Sequence, residues 1–212
     1  MSAAQFITLE GIEGAGKSSV AKALQAELAR RGASVLLTRE PGGTPLAESL
    51  RELLLRRGAE VLNPTAETLL MFAARAVHLD NAVRPALAAG RWVICDRFTD
   101  ASYAYQGGGR AVDPSLLDRL AAAVHADFWP VRTLLLDVTV ATGLGRAQAR
   151  PGAPDRFESE QRVFFERVRA TYLERAAREP QRIRIIDAQR KLADVVAAAL
   201  AALSDLLPGA AP

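Results

Sequence analysis

The chain has one cysteine, two histidines and, among 27 basic residues, only three lysines, Lys17, Lys22 and Lys191. Each scarcity excludes something. Cys95 has no partner, so a disulfide scaffold is out, and with His78 and His125 it falls short of a four-ligand structural zinc site. Aromatic residues make up 6% of the chain and are not interleaved with basic ones, which argues against a base-stacking nucleic-acid surface. No apolar run approaches the roughly 20 residues of a membrane span. The N-terminal MSAAQFITLEG has neither a basic stretch nor a long apolar one, so a cytoplasmic protein without a membrane partner is expected.

What is present is apolar and ordered. Half of the 212 residues are hydrophobic, with a formal charge of +3. A chain of this size buries about 70% of its unfolded surface, enough for an ordinary core and one domain over residues 1–212. The positive charge sits almost wholly on arginine, which grips phosphate and carboxylate in planar, bidentate fashion.

Short β-branched runs alternate with stretches of helical period, the pattern of βαβ units and a parallel sheet. The strands are expected at Gln5 to Glu10, Ser34 to Thr38, Arg91 to Asp96, Arg132 to Val138 and Arg182 to Asp187. Helices are expected at Lys17 to Arg30, Pro45 to Arg57, Thr65 to Ala89, Pro114 to His125, Ala141 to Arg150, Ser159 to Arg178 and Leu192 to Leu207. Pro85 should kink or split the third, Gly32 and Gly58 sit where C-terminal caps belong, and Asp113-Pro114 reads as a helix start. Two prolines and a glycine between Arg150 and Arg156 mark a loop over 150–157 that fits a lid, and 208–212 reads as a flexible tail.

The strongest chemical signal is Gly11-Ile-Glu-Gly-Ala-Gly16-Lys17-Ser18, placed between a strand and a helix. Glycines let the backbone turn its N–H groups toward phosphate, and the helix N-terminus adds positive potential. Lys17 would reach the β and γ phosphates of a nucleoside triphosphate and Ser18 would offer a hydroxyl to Mg²⁺, within a phosphate-binding stretch of Gly11, Glu13, Gly14, Ala15, Gly16, Lys17, Ser18 and Ser19 that the resemblance given below assigns to ATP. The motifs by which GTP switch proteins read guanine and sense the γ-phosphate are absent. Asp96, at a strand end, is placed to help hold the metal, with Arg97 beside it.

Arginine recurs at Arg39, Arg75, Arg97, Arg146, Arg150 and Arg156, more than a triphosphate requires. A phosphate acceptor would explain the surplus. Two unit anions at about 4 Å repel by about 4 kcal/mol at an effective dielectric near 20, and guanidiniums offset that. Such an acceptor, with a second pKa of about 6, is already a nucleophile at neutral pH and needs no general base. A hydroxyl acceptor, as in a deoxynucleoside kinase, would draw on Glu13 or Glu40 instead. A nucleotide-binding module without turnover is a third reading, though Lys17, Asp96, Arg97 and the lid arginines are all retained.

Four strings, Phe6 to Ser18, Thr38 to Pro45 (TREPGGTP), Met71 to Arg75 (MFAAR) and Asp96 to Arg110 (DRFTDASYAYQGGGR), resemble bacterial thymidylate kinases in order and spacing. The resemblance covers essentially the whole chain. It implies a three-layer nucleoside monophosphate kinase fold with a five-stranded parallel sheet, and the conversion of dTMP to dTDP with ATP and Mg²⁺ for dTTP synthesis, in a homodimer. It further implies that Glu13 approaches the acceptor sugar hydroxyl and that Arg39 and Arg97 grip the dTMP phosphate. By the same likeness Phe72 stacks on thymine, Arg75 meets its carbonyl edge, and Ser102 and Gln106 read the rest of the base. Tyr105 lies where a 2′-hydroxyl would sit, Arg146 flanks adenine, and Arg150 and Arg156 neutralise the transferring phosphoryl. Gly14 stands where some members carry an arginine, so the chain resembles the type whose lid supplies it. Met71, four residues before Arg75, competes with Phe72 for the base, and the catalytic lid arginine is open between Arg150 and Arg156.

Overall fold

The computed structural model describes residues 5–56, 62–149, 156–157 and 160–208. Five strands form one parallel sheet: β1 (Phe6–Glu10), β2 (Val35–Arg39), β3 (Trp92–Asp96), β4 (Arg132–Asp137) and β5 (Ile183–Asp187), in the order β2-β3-β1-β4-β5. Central β1 is buried at every position. Such a strand has helices on both faces, which is why its sequence, FITLE, is apolar nearly throughout instead of alternating.

The helices are α1 (Lys17–Arg30), α2 (Pro45–Leu55), α3 (Pro64–His78), α4 (Arg84–Ala88), α5 (Thr99–Ser102), α6 (Pro114–Val124), α7 (Val140–Gln148), α8 (Arg162–Arg178) and α9 (Leu192–Ala201). Thr44, Asn63, Asp113 and Thr139 cap α2, α3, α6 and α7 with side-chain oxygens. Proline sits in the first turn of α2, α3 and α6, where its missing N–H costs nothing. Gly32 lies past α1 at φ 81°, the expected C-terminal cap; Gly58 lies outside the described residues.

Strand positions agree with the sequence reading to within a residue or so; the third helix is split at Pro85 as expected, the last is shorter than expected, and a helical segment outside the expected set follows β3. The helix expected over Thr65 to Ala89 is broken by a π turn, Leu79–Val83, which widens the backbone just ahead of Pro85. That relieves the clash a proline ring makes with the preceding turn and absorbs its missing hydrogen bond. The last helix ends at Ala201, although Leu203 and Leu207 stay buried beyond it. Finally, Thr99 to Gly109, with its glycine triplet, forms α5 and a second π segment, Tyr103–Gly109. A Cβ on Gly108 would lie 2.1 Å from Thr171 Oγ1, and one on Gly109 2.4 Å from the Phe164 ring. The glycines are there because this segment lies directly on α8.

Strand register positions the site. Arg39 pairs with Asp96, and Asp96 with Leu9, so the carboxyl ends of β2, β3 and β1 come level where the strand order reverses. That is where ligands bind in open α/β sheets.

Candidate active site

A cavity of about 540 Å³ opens at those strand ends. One wall is the loop Gly11–Ser18 between β1 and α1. Gly11, Gly14 and Gly16 have φ of 135°, 73° and 91°, which side chains rarely adopt. A Cβ on Gly14 would lie 1.9 Å from the carbonyl oxygen of Gly143 on α7, so loop and helix meet backbone to backbone. No side chain caps α1 and no acid lies in its first turn, leaving the N-terminus to an incoming anion.

Lys17 folds over this loop, donating to the carbonyls of Gly11 at 3.0 Å and Ile12 at 3.1 Å. Burial, with Arg97 close by, pulls its ammonium down to about 8. Ser18 donates to Asp96 at 3.3 Å, bringing hydroxyl and carboxylate to one spot.

Arg97 follows β3 in the left-handed conformation, φ 75°, which costs a non-glycine residue roughly 1–3 kcal/mol and typically marks a functional turn. Its guanidinium donates to Glu13 at 2.8 Å and lies 4.5 Å over the Tyr105 ring, while the Tyr105 hydroxyl takes Glu13's other oxygen at 2.7 Å. Below, Tyr172 hydroxyl receives Arg97 Nη1 at 3.4 Å and donates to Glu10 at 2.6 Å. Burial, together with the nearby Asp100 carboxylate, raises Glu10 to about 7.

The opposite wall carries Arg75 on α3. It donates to Glu40 at 2.7 Å and to Ser102 at 3.1 Å, and its guanidinium lies 4.7 Å from the Phe72 ring centroid and 5.1 Å from that of Phe98. Gln106 is held by Glu67 at 2.8 Å. Arg39 rests on Glu48, and Arg146 on the carbonyl of Ala188 at 2.8 Å.

Most sequence-nominated residues meet here: Glu13, Gly14, Gly16, Lys17, Ser18, Ser19, Arg39, Arg75, Asp96, Arg97, Ser102, Tyr105, Gln106 and Arg146 all line the cavity. Gly11 and Ala15 support the loop from behind. Phe72 does not line it; the ring packs into the core with Leu117 and Ala121, and Met71 takes the lining position. Spacing does not separate the two, since positions three and four before Arg75 both lie on its side of the helix; Phe72 packs beneath the Arg75 guanidinium, which lies 4.7 Å from the ring centroid, and leaves the cavity wall to Met71. Arg156 also departs from expectation. Its guanidinium donates to the Leu54 carbonyl at 2.9 Å and to fully buried Glu67 at 2.7 Å, away from the cavity lining. Arg150, and the expected lid over 150–157 apart from Arg156 and Phe157, lie outside the described residues, as do 209–212.

Sequence reasoning overlooked several residues. Glu10 was visible as the acid immediately before Gly11, but Tyr172, far along the chain on α8, carried no local signal. Glu67, fully buried, and Arg51, lining the cavity from α2, belong to no motif in the sequence. In the sequence Glu40 reads only as a candidate base and His78 has no assigned role; in the fold they share a hydrogen bond of 2.9 Å.

A phosphate-binding loop and a wall of donors able to read a second nucleotide thus open on one cavity of a β2-β3-β1-β4-β5 sheet, which is the class of P-loop nucleoside monophosphate kinases. The thymidylate kinase family pattern matches residues 9–199, and the chain belongs to that family. It is 56% identical over 203 residues to a thymidylate kinase of Pseudomonas syringae pv. syringae, covering 96% of this chain and 94% of that one. Against a thymidylate kinase of Methylococcus capsulatus it is 51% identical over 209 residues, 99% of each chain. The crystal structure of thymidylate kinase from Ehrlichia chaffeensis superposes with a TM-score of 0.77 at 34% identity, covering 95% of this chain and 98% of that one.

Proposed function

We propose that this protein transfers the terminal phosphoryl group of ATP to the phosphate of dTMP, giving ADP and dTDP. The observation that carries the reading is the single cavity shared by Lys17 and Ser18 on one side and Arg75, Ser102 and Gln106 on the other. In that reading the loop N–H groups and Lys17 hold the donor phosphates, and Arg146 flanks adenine. Arg39 and Arg97, entering from the ends of β2 and β3, hold the acceptor phosphate in line with the donor. Catalysis is then positioning and charge neutralisation, with no proton abstraction required.

Ser18 and Asp96 offer hard oxygen donors 3.3 Å apart, the kind Mg²⁺ prefers. They are the residues that would hold it; bound there, it neutralises charge on the donor phosphates. Tyr105, fixed through its hydroxyl by Glu13, is assigned to the sugar face, where its ring excludes a 2′-hydroxyl. Met71, in place of Phe72, is assigned to the thymine face.

The carboxylates that a hydroxyl-phosphorylating kinase would use as a base are engaged otherwise. Glu13 holds Arg97 and Tyr105, and Glu40 holds Arg75 and His78. That disfavours a thymidine acceptor.

We also propose a cytoplasmic homodimer. Among the described residues no helix is long and apolar enough to cross a membrane. Leu46 and Leu53 on α2 and Leu69 on α3 are 58%, 53% and 49% exposed on two helices that pack together, which supports an apolar interface there. Residues Thr99–Ser102, on the segment after Arg97, are buried within the chain and offer no such surface. Light scattering in solution tests the dimer.

The reaction is tested by incubating the protein with Mg²⁺-ATP and dTMP, dUMP, dCMP, UMP, AMP, GMP or thymidine and following ADP release. Turnover led by dTMP with thymidine inert is expected. Thymidine phosphorylated without dTMP turnover overturns the reading.

A further inference from the structure

We infer that His78 and Glu40 are positioning residues for Arg75 and, through it, set which pyrimidine the acceptor site takes. The inference deepens the dTMP reading and rests on it.

Arg75 is 2% exposed and almost completely immobilised. Nε is bonded to Glu40, Nη2 to Ser102, and the plane is held between Phe72 and Phe98. Among the described residues Nη1 is buried without a hydrogen-bond partner, on a residue that lines the cavity. A guanidinium only donates. We assign this unpaired donor to an acceptor on the bound base, such as a pyrimidine 4-carbonyl, which a 4-amino group would not replace. How strictly it discriminates depends on how firmly its direction is fixed.

That direction is set from behind. Glu40 is 5% exposed and gives one oxygen to Arg75; the other accepts from His78 Nδ1 at 2.9 Å. His78 is fully buried, and its Nε2 lies 2.8 Å from Thr38 Oγ1 on β2. A chain of bonds therefore runs from the sheet through the imidazole and carboxylate to the guanidinium. With a hydrogen bond at each oxygen, the Glu40 carboxylate has no free rotation, and neither does the arginine it holds. The loop is built around this ring: a Cβ on Gly43 would come within 2.5 Å of Thr38 Oγ1 and 2.7 Å of His78 Cδ2.

Glu40, His78 and Cys95 place possible ligand atoms within 4.8 Å of one another. The cluster is nonetheless a poor cation site, because the Arg75 guanidinium already neutralises the carboxylate, and a metal would add a second positive charge beside it.

The test is steady-state kinetics of His78→Leu and His78→Asn with dTMP, dUMP and dCMP at saturating Mg²⁺-ATP, alongside thermal melts. His78→Leu is expected to raise KM for dTMP about 10-fold and to cut the preference for dTMP over dCMP at least about 10-fold, with kcat for dTMP within about threefold. The dTMP to dUMP ratio should hold, since both bases present the 4-carbonyl. His78→Asn, whose amide nitrogen falls near the place of Nδ1, should recover most of the loss. A folded His78→Leu protein with unchanged KM and unchanged preference overturns the inference, as does a uniform fall in kcat for all acceptors at constant KM. If His78→Leu does not fold, Glu40→Gln is read in the same way and must show the same loss of preference. A wild-type protein inactive on dTMP overturns the dTMP reading and this inference with it, whereas an active wild type with unaltered variants overturns this inference alone.

Discussion

Arg97 Nη2 and Glu13 Oε1 lie 2.8 Å apart and join the end of β3 to the middle of the phosphate-binding loop. Both residues face the cavity, and the arginine holds a backbone conformation that only its surroundings sustain. Arg97→Ala is expected to lower kcat/KM for dTMP by about 10³-fold, the scale of losing an arginine that stabilises a transferring phosphoryl. Arg97→Lys should recover only part of this, because an ammonium lacks the planar fork. ADP-release kinetics check both variants.

Gly14 touches Gly143 so closely that the loop has no room for a side chain in that direction. Gly14→Ala combines a positive φ with a backbone overlap, and a loss of about 2–3 kcal/mol, or roughly 5–10 °C in Tm, is expected. A rise in KM for ATP should accompany it. Differential scanning calorimetry and ATP titration measure the two effects.

Glu10 makes stability depend on pH. Its carboxyl is raised from 4.5 to about 7 in the fold, chiefly by burial, so between those values the folded protein keeps a proton that the unfolded chain releases. Its favourable contribution is complete below about 4.5 and lost as pH rises through about 7, a change of about 3 kcal/mol. Urea unfolding at pH 5 and pH 8 should show the wild type losing more stability on going to the higher pH than Glu10→Gln, which has no proton to lose.

Met71 and Phe72 are neighbours with opposite surroundings. Phe72→Ala is expected to cost about 3–5 kcal/mol of stability by emptying a core position against Leu117 and Ala121. Met71→Ala, from the cavity wall, should leave stability closer to wild type and raise KM for dTMP about threefold or more. Melting curves beside kinetics separate the two.

The sheet was legible because each strand is a short apolar run between helical stretches, and the phosphate loop because its chemistry demands glycines and a lysine in fixed order. The acceptor wall was harder. Nothing local announces that Phe72 turns inward while Met71 faces the cavity; a shift of one residue on a helix rotates a side chain by about 100°. The glycine triplet Gly107 to Gly109 carries no helical signal in one dimension, yet it lies in a helical segment packed against α8, some 60 residues further along the chain. Arg156 belongs by its string to the phosphoryl-neutralising set, and only the fold brings Glu67 and Leu54 beside it. Buried partners such as Glu40 with His78, or Glu10 with Tyr172, are tertiary pairings that no spacing rule encodes.

The cationic side of the cavity is already supplied with counter-charges: Arg39 by Glu48, Arg75 by Glu40 and Arg97 by Glu13. On the dTMP reading, a phosphate that docks beside Arg39 or Arg97 would meet a guanidinium already paired with a carboxylate and would share it. The attraction of such a pocket for an anion would then be short in range, because each guanidinium's field is largely cancelled at a distance by its own carboxylate.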